Sequence, residues 1–287
     1  MIPAMPQPLS LGFSPCPNDT FIFDALVHGR LDPACRLFGR ETLADVETLN
    51  EWAMEHRLDV TKLSFHALGH VRDHYALLGA GAALGRGCGP LLVAKRPLAS
   101  ADLKGLTIAI PGEFTTAALL LRMYSGHPAA TTVMRFDRIM PAVANGDVDA
   151  GVIIHESRFT YQEHGLRLVK DLGAWWEEST GLPIPLGGIV ARRSLGHERL
   201  CHIDRCIRTS ILAAQANPAV ALPYIRRHAQ ELDDRIVQSH IGLYVNNFSV
   251  ELGKEGERAV REFMARGEAA GAFAPSLGDQ PLFVSAD

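Results

Sequence analysis

Four short apolar runs in this chain each end on residues able to do chemistry. Leu9 to Phe13 is followed by Ser14, Cys16, Asn18, Asp19 and Thr20. Leu58 to Leu63 carries Lys62 and runs into Ser64, and Leu106 to Ile110 leads through Pro111-Gly112-Glu113-Phe114 to Thr115 and Thr116. Ala150 to Ile154 ends at His155-Glu156-Ser157. Strand ends of this kind, where loops and helix starts offer free N–H groups, are where open α/β sheets hold ligands. The set offers hydroxyls, one lysine, one asparagine and one histidine, with no tight acidic cluster. It suits an oxygen-rich anionic organic ligand better than a metal. His155 is the group able to take a proton near neutral pH, and Glu156 beside it can orient or perturb it.

Each of these residues also has a plainer explanation. Ser14, Asn18, Asp19, Thr20, Thr115 and Thr116 are preferred helix caps, although a capped helix start is also an anion site. Lys62 can snorkel at a sheet edge, and a histidine closing an apolar strand can be a hydrogen-bonded structural residue. His240, near Tyr244, Asn246 and Asn247, is a second histidine candidate. The remaining histidines, from His28, His56, His66, His70 and His74 to His127, His164, His197, His202 and His228, sit in polar or helical surroundings and read as solvated. Cys16 has no base next to it in sequence, which weakens it as a nucleophile. Gly-x-Gly-x-x-Gly, Gly-x-x-x-x-Gly-Lys-Ser/Thr and Gly-x-Ser-x-Gly patterns are all missing, so nucleotide-binding and serine-hydrolase readings gain nothing.

The elements that must position these groups alternate in type through the first half of the chain. A strand at Leu9 to Phe13 is expected to lead, through a Pro-punctuated loop from Ser14 to Thr20, into a helix over Phe21 to Val27. Apolar residues at helical spacing mark Val46 to Met54, with a short helix at Phe65 to His70 and a strand at Leu91 to Ala94. Helices are expected at Thr115 to Tyr124 and Ile139 to Ala144, and strands at Thr131 to Phe136 and Leu166 to Val169. Asn145-Gly146-Asp147 is a strong turn signal. From His197 onward the pattern is helical. This alternation predicts an α/β fold with largely parallel sheet structure. It also predicts two lobes: residues 1–95 with 190–287, and an inserted lobe over 96–189, joined by a hinge with a ligand cleft between them. The glycine-rich stretch Gly79 to Gly89 has no assignment from the sequence.

Composition narrows the class further. The 287 residues are 47% apolar and 21% charged, enough for a sizeable core, with a net charge of −4. That charge gives no field drawing the protein to nucleic acid or to an anionic membrane, so an anion must be held locally. Five scattered cysteines without a Cys-x-x-Cys pair predict reduced thiols and no disulfide framework. Neither a signal peptide nor a spanning segment is evident, and a cytoplasmic location is expected. The sequence carries no signal for an oligomeric state.

Several of these segments carry a resemblance. Leu103-Lys104-Gly105-Leu106-Thr107-Ile108-Ala109-Ile110-Pro111-Gly112 with Thr115-Thr116-Ala117, and Asn145 to Val152, resemble the second lobe of type 2 periplasmic-binding-protein folds. The stretch Ser14-Pro15-Cys16-Pro17-Asn18-Asp19-Thr20-Phe21-Ile22-Phe23 is more specific. Together with Thr61-Lys62-Leu63-Ser64, Gly151 to Glu156 and Tyr244-Val245-Asn246, it is similar to the 1,4-dihydroxy-6-naphthoate synthase family of the futalosine route to menaquinone. The resemblance runs from about Leu9 to about Glu268. It implies a cofactor-independent lyase acting on a small anionic substrate, cyclic dehypoxanthinyl futalosine, and releasing 1,4-dihydroxy-6-naphthoate and a dihydroxyacetone fragment. It also implies that His155 is the proton acceptor. Lys62, Leu63 and Ser64, the pair Thr115 and Thr116, and Asn18 would contact the substrate. Two rivals share the fold: chorismate dehydratase of the same pathway, which the Ser14 to Thr20 signature disfavours, and a solute-binding protein, which would need export.

Overall fold

The apolar runs pair into two separate sheets. In chain order the strands and helices are β1 (Leu11–Phe13), α1 (Pro17–Val27), β2 (Thr42–Leu43), α2 (Val46–Met54), β3 (Val60–Ser64), α3 (Phe65–Val71), β4 (Tyr75–Leu77), β5 (Ala83–Gly85) and β6 (Leu91–Ala94). They continue as β7 (Thr107–Ile110), α4 (Thr116–Ser125), β8 (Ala130–Val133), α5 (Phe136–Asn145), β9 (Ala150–Ile153), α6 (Ser157–Thr160), β10 (Arg167–Asp171), α7 (Leu172–Thr180) and β11 (Ile184–Arg192). The chain finishes with α8 (His197–Ala216), α9 (Pro218–His228), α10 (Asp234–Tyr244), α11 (Asn247–Val250) and α12 (Gly253–Ala269). This computed structural model describes residues 7–98, 103–126, 130–230, 233–278 and 280–284, so His127 lies outside the described residues.

The first sheet runs β2-β1-β3-β11-β4, with β5 also paired to β11, and the second runs β10-β6-β9-β7-β8. β2, β1 and β3 are mutually parallel, as are β9, β7 and β8. Largely parallel sheets were expected; the sheets are mixed instead. β11 lies antiparallel to β3, β4 and β5, and β6 lies antiparallel to β9 and β10. β6 is the first strand entered in the second sheet and β11 the strand of return to the first. Since β6 already belongs to the second sheet and β11 to the first, the expected divisions at 95/96 and 189/190 fall after both passages.

The start of α1 also differs from expectation. Pro17 occupies the first helical turn, where its missing N–H costs nothing, so the helix begins inside the signature rather than after it. Every residue from Pro17 to Leu26 is buried, because α8, α9 and α10 pack over α1. Cys35, just beyond α1, is disulfide-bonded to Cys206 on α8, against the expectation of free thiols throughout. The sequence hides this pairing because it closes over 171 residues, and α8 packing brings the two Cα atoms to 5.5 Å. Cys16, Cys88 and Cys201 are buried and stand outside this disulfide. Among the described residues, no helix is long and apolar enough to cross a membrane.

The Gly79 to Gly89 stretch threads past the junction of the sheets. A Cβ on Gly89 would lie 2.3 Å from the Cα of Gly173, so β6 and α7 approach backbone to backbone there. Gly81, at φ +87, turns the chain so that its carbonyl points toward β3.

Candidate active site

Between the sheets lies a pocket with about 710 Å³ of space free of protein atoms, part of it open to solvent. All seven sequence-predicted residues line it: Asn18, Lys62, Leu63, Ser64, Thr115, Thr116 and His155. Ser14, Asp19, Gly187 and Tyr244 join them.

His155 reaches the pocket two residues beyond the end of β9, with φ at +57. A non-glycine residue rarely adopts this left-handed conformation, and the cost is characteristic of functional sites. The side chain is half-buried, with Phe136 edge-on at 4.9 Å and the His240 ring at 6.1 Å. Its ring nitrogens have no hydrogen-bond partner among the described residues. Burial lowers its pKa from the ordinary histidine value, against the nearby carboxylates of Glu156, Asp19 and Asp45, so the ring is neutral at pH 7. Glu156 is itself buried and acts on His155 through charge, without a hydrogen bond to it.

Opposite His155, the signature loop forms a polar chain centred on Asp19. Ser14 Oγ donates to Asp19 Oδ2 at 2.7 Å, and Asn18 Nδ2 donates to Asp19 Oδ1 at 2.9 Å. Lys62 Nζ lies 3.2 Å from the same carboxylate and donates to the Gly81 carbonyl at 2.7 Å. Lys62, expected to contact the substrate, is therefore already charge-balanced. An ammonium carries three N–H donors, which leaves one for a ligand. From α10, His240 Nε2 meets Asn18 Oδ1 at 2.9 Å. Burial pushes His240 well below the usual histidine range, and the charge on a protonated His155 would push it further the same way.

The facing wall is the start of α4. Thr115 Oγ1 accepts from Ala118 N–H at 3.2 Å and donates to the Gly112 carbonyl at 2.8 Å, while Thr116 Oγ1 donates to the Leu186 carbonyl at 2.6 Å. The capping explanation thus holds for Thr115, and the hydroxyls of this pair are already engaged. What α4 offers a ligand is its first-turn N–H groups and the positive end of its dipole. Ser64 Oγ and N–H are fixed by Asn50, at 3.2 and 2.9 Å, and Asn50 in turn donates to Glu47 at 3.0 Å. Glu47 also accepts from Phe114 N–H at 2.9 Å, tying the first lobe to the α4 loop.

Asp19, His66 and Glu47 escaped the sequence reading as site residues. Asp19 read as a cap, and its pairing with Lys62 spans two strands' worth of chain. His66 is not solvated as expected: it is buried, it meets the Thr115 carbonyl at 3.2 Å, and burial lowers its pKa to about 4. Burial raises the Cys16 thiol well above its ordinary range, with Glu156 adding to the rise, so it stays protonated and no nucleophile forms. Tyr244 lines the cleft, whereas Asn246 points away and donates to the Leu84 carbonyl at 2.9 Å.

The pattern matches known proteins along most of its length. The family model described as menaquinone biosynthesis matches residues 9–269. A 1,4-dihydroxy-6-naphthoate synthase of Thermus thermophilus is 55% identical over 97% of this chain and 100% of its own. One from Streptomyces coelicolor is 48% identical over 96% of this chain and 97% of its own. Among solved structures, a protein from Archaeoglobus fulgidus superposes with a TM-score of 0.86 at 36% identity, covering 92% of this chain and 97% of that one. The alkanesulfonate-binding protein SsuA of Xanthomonas axonopodis, bound to MOPS, superposes at 0.70 with 14% identity over 95% and 96% of the two chains. At that identity the likeness is one of fold alone, the two-lobed periplasmic-binding-protein architecture.

Proposed function

The chain belongs to the menaquinone-biosynthesis family that includes the 1,4-dihydroxy-6-naphthoate synthases, and from this premise we propose that it cleaves cyclic dehypoxanthinyl futalosine with His155 as general base. The products are 1,4-dihydroxy-6-naphthoate and a dihydroxyacetone fragment. One observation carries the reading: a histidine ring with no hydrogen bond among the described residues, held in a left-handed backbone and lining a cleft beside Lys62, Ser64 and the start of α4.

The substrate presents an aryl carboxylate, a ketone and sugar-derived hydroxyls. The remaining Lys62 donor and the first N–H groups of α4 suit its anionic and carbonyl oxygens. Asp19 balances the charge of Lys62, so anion binding rests more on the α4 dipole than on a free cation. His155 takes a proton either next to the ketone or from a hydroxyl. Ring opening and carbon–carbon cleavage follow, driven by aromatisation of the new ring, and His155 returns the proton to the departing fragment. Walls drawn from both lobes exclude water and align the base. None of these steps calls for a metal or an organic cofactor.

Purified protein incubated with cyclic dehypoxanthinyl futalosine is expected to build up the naphthoate chromophore, and to leave the chorismate dehydratase substrate unchanged. Folded protein that produces no chromophore from the first substrate overturns the proposal.

A further inference from the structure

His155 and His240 are neighbours from different lobes, and their ring nitrogens are used very differently. His240 is fully buried on α10. Its Nε2 lies 2.9 Å from Asn18 Oδ1. The identity of that Asn18 atom follows from the next link: the other end of the amide faces the Asp19 carboxylate at 2.9 Å and must be the NH₂. Oδ1 can only accept, so the proton of His240 sits on Nε2. Lys62 and Ser14 hold Asp19 in turn, at 3.2 and 2.7 Å, so the arrangement is braced from β3 and from the signature loop. Nδ1 of His240 is left as a bare lone pair, buried and without a partner.

An unpartnered buried acceptor costs stability in the state that buries it, and its retention calls for a role. Two rings flank it: Tyr244 of the same helix, with its centroid 4.7 Å away, and His155 from the other lobe, with its centroid 6.1 Å away and its plane inclined by 25°. The ring nitrogens of His155 too have no hydrogen-bond partner among the described residues. We propose that His240 is the positioning partner of His155: its bare Nδ1 accepts a hydrogen bond from the imidazolium formed when His155 takes the substrate's proton. The proton itself stays on His155 until it is returned to the fragment. The chain Lys62–Asp19–Asn18 serves to keep His240 in the one tautomer able to accept. The other charged or titratable groups facing His155 are Asp19 from α1, Asp45 ahead of α2 and Glu156 beside it. Among these, His240 alone is both pinned in orientation and unsatisfied. This inference rests on the reading of His155 as base.

Two measurements test it. Nitrogen-15 NMR of histidine-labelled wild-type protein reads the tautomer of His240 directly, whatever the activity. A neutral ring protonated at Nε2 at pH 7 is expected, and a ring protonated at Nδ1 overturns the proposal. Kinetics then read its consequence. His240→Phe keeps the ring and loses the acceptor, and is expected to lower kcat by about 10- to 100-fold, the worth of one hydrogen bond to a charged group. KM should change little, and the acid limb of the pH–rate profile should move to lower pH as the conjugate acid of His155 loses its partner. His240→Gln, which supplies both a donor for Asn18 and a carbonyl acceptor, should recover most of the rate. A folded His240→Phe enzyme with an unmoved acid limb, or a His240→Gln enzyme as slow as His240→Phe, overturns the proposal. His155→Asn measured alongside separates the two readings. Full turnover in that variant removes the base assignment itself, whereas loss of turnover with an unmoved limb in His240→Phe removes only the partnership.

Discussion

At the scale of single residues, we assign the strand-end residues to two groups, those proposed to touch a ligand and those that hold the walls in place. Thr115 belongs to the second group: its hydroxyl caps α4 and also bonds Gly112. Thr115→Ala is therefore expected to cost about 0.5–2 kcal/mol of stability, the usual price of a lost cap, visible as a lower denaturation midpoint. Ser64 is different, since Asn50 fixes its backbone and hydroxyl and turns it to the pocket. Ser64→Ala should raise KM about tenfold, the worth of one hydrogen bond, with little change in midpoint. An unchanged KM in a folded Ser64→Ala enzyme would place Ser64 among the structural residues. His155 stands out in the sequence as a histidine closing an apolar strand, which is a local pattern, and its proposed role comes from the family resemblance. Asp19 and His66 were not legible, because their roles depend on Lys62 and on the Thr115 carbonyl, far away along the chain.

At the scale of elements, periodicity found the long helices and the apolar strands, and it failed where the signal was short or conflicted. β4 and β5 are three-residue strands within glycine- and alanine-rich sequence, too short for any alternation to register. β11 escapes periodicity, because Pro183, Pro185, Gly187 and Gly188 mimic a loop. It is nonetheless the strand that joins β3, β4 and β5. Gly187 is needed there, since a Cβ would lie 2.7 Å from the Leu63 carbonyl beside the pocket. The close approach of Gly89 to Gly173 gives a sharper test. Gly89→Ala must push β6 away from the start of α7, and overpacking of this kind costs about 1–3 kcal/mol or more. A lower melting temperature together with reduced turnover is expected. Wild-type melting in Gly89→Ala would show that the two backbones are not in contact.

At the scale of the whole molecule, the two-lobed plan was visible in the sequence as an inserted α/β pattern, whereas the antiparallel passages between the sheets were not. The lobes meet through buried and half-buried polar links: Glu47 to Phe114, His66 to Thr115 and Thr116 to Leu186. These links and the site bury His66, His155 and His240, whose pKa values are all lowered, chiefly by burial. A histidine held neutral in the folded state binds fewer protons there than in the unfolded chain. Stability is therefore full above the unfolded value of about 6.5 and declines as pH falls below it, continuing for His66 to about 4. Urea midpoints are expected to fall between pH 7 and pH 5, and His66→Gln should flatten that decline. Midpoints that stay level or rise toward pH 5 would mean that these rings are protonated in the fold.

The most direct test of the central claim is the turnover of His155→Asn, followed by the appearance of the naphthoate chromophore. Asparagine keeps a polar side chain of similar reach and tolerates the left-handed backbone at this position, so the fold should survive. Turnover should drop by roughly 100- to 10,000-fold, the usual contribution of a positioned general base, while substrate still binds through Ser64, Lys62 and the start of α4. In the wild type, turnover should decline on the acid side only at pH values below the ordinary histidine value of about 6.5, because burial displaces the acid limb downward from it. Near-normal turnover in His155→Asn, accompanied only by a lower melting temperature, would contradict the account and reduce His155 to a structural residue.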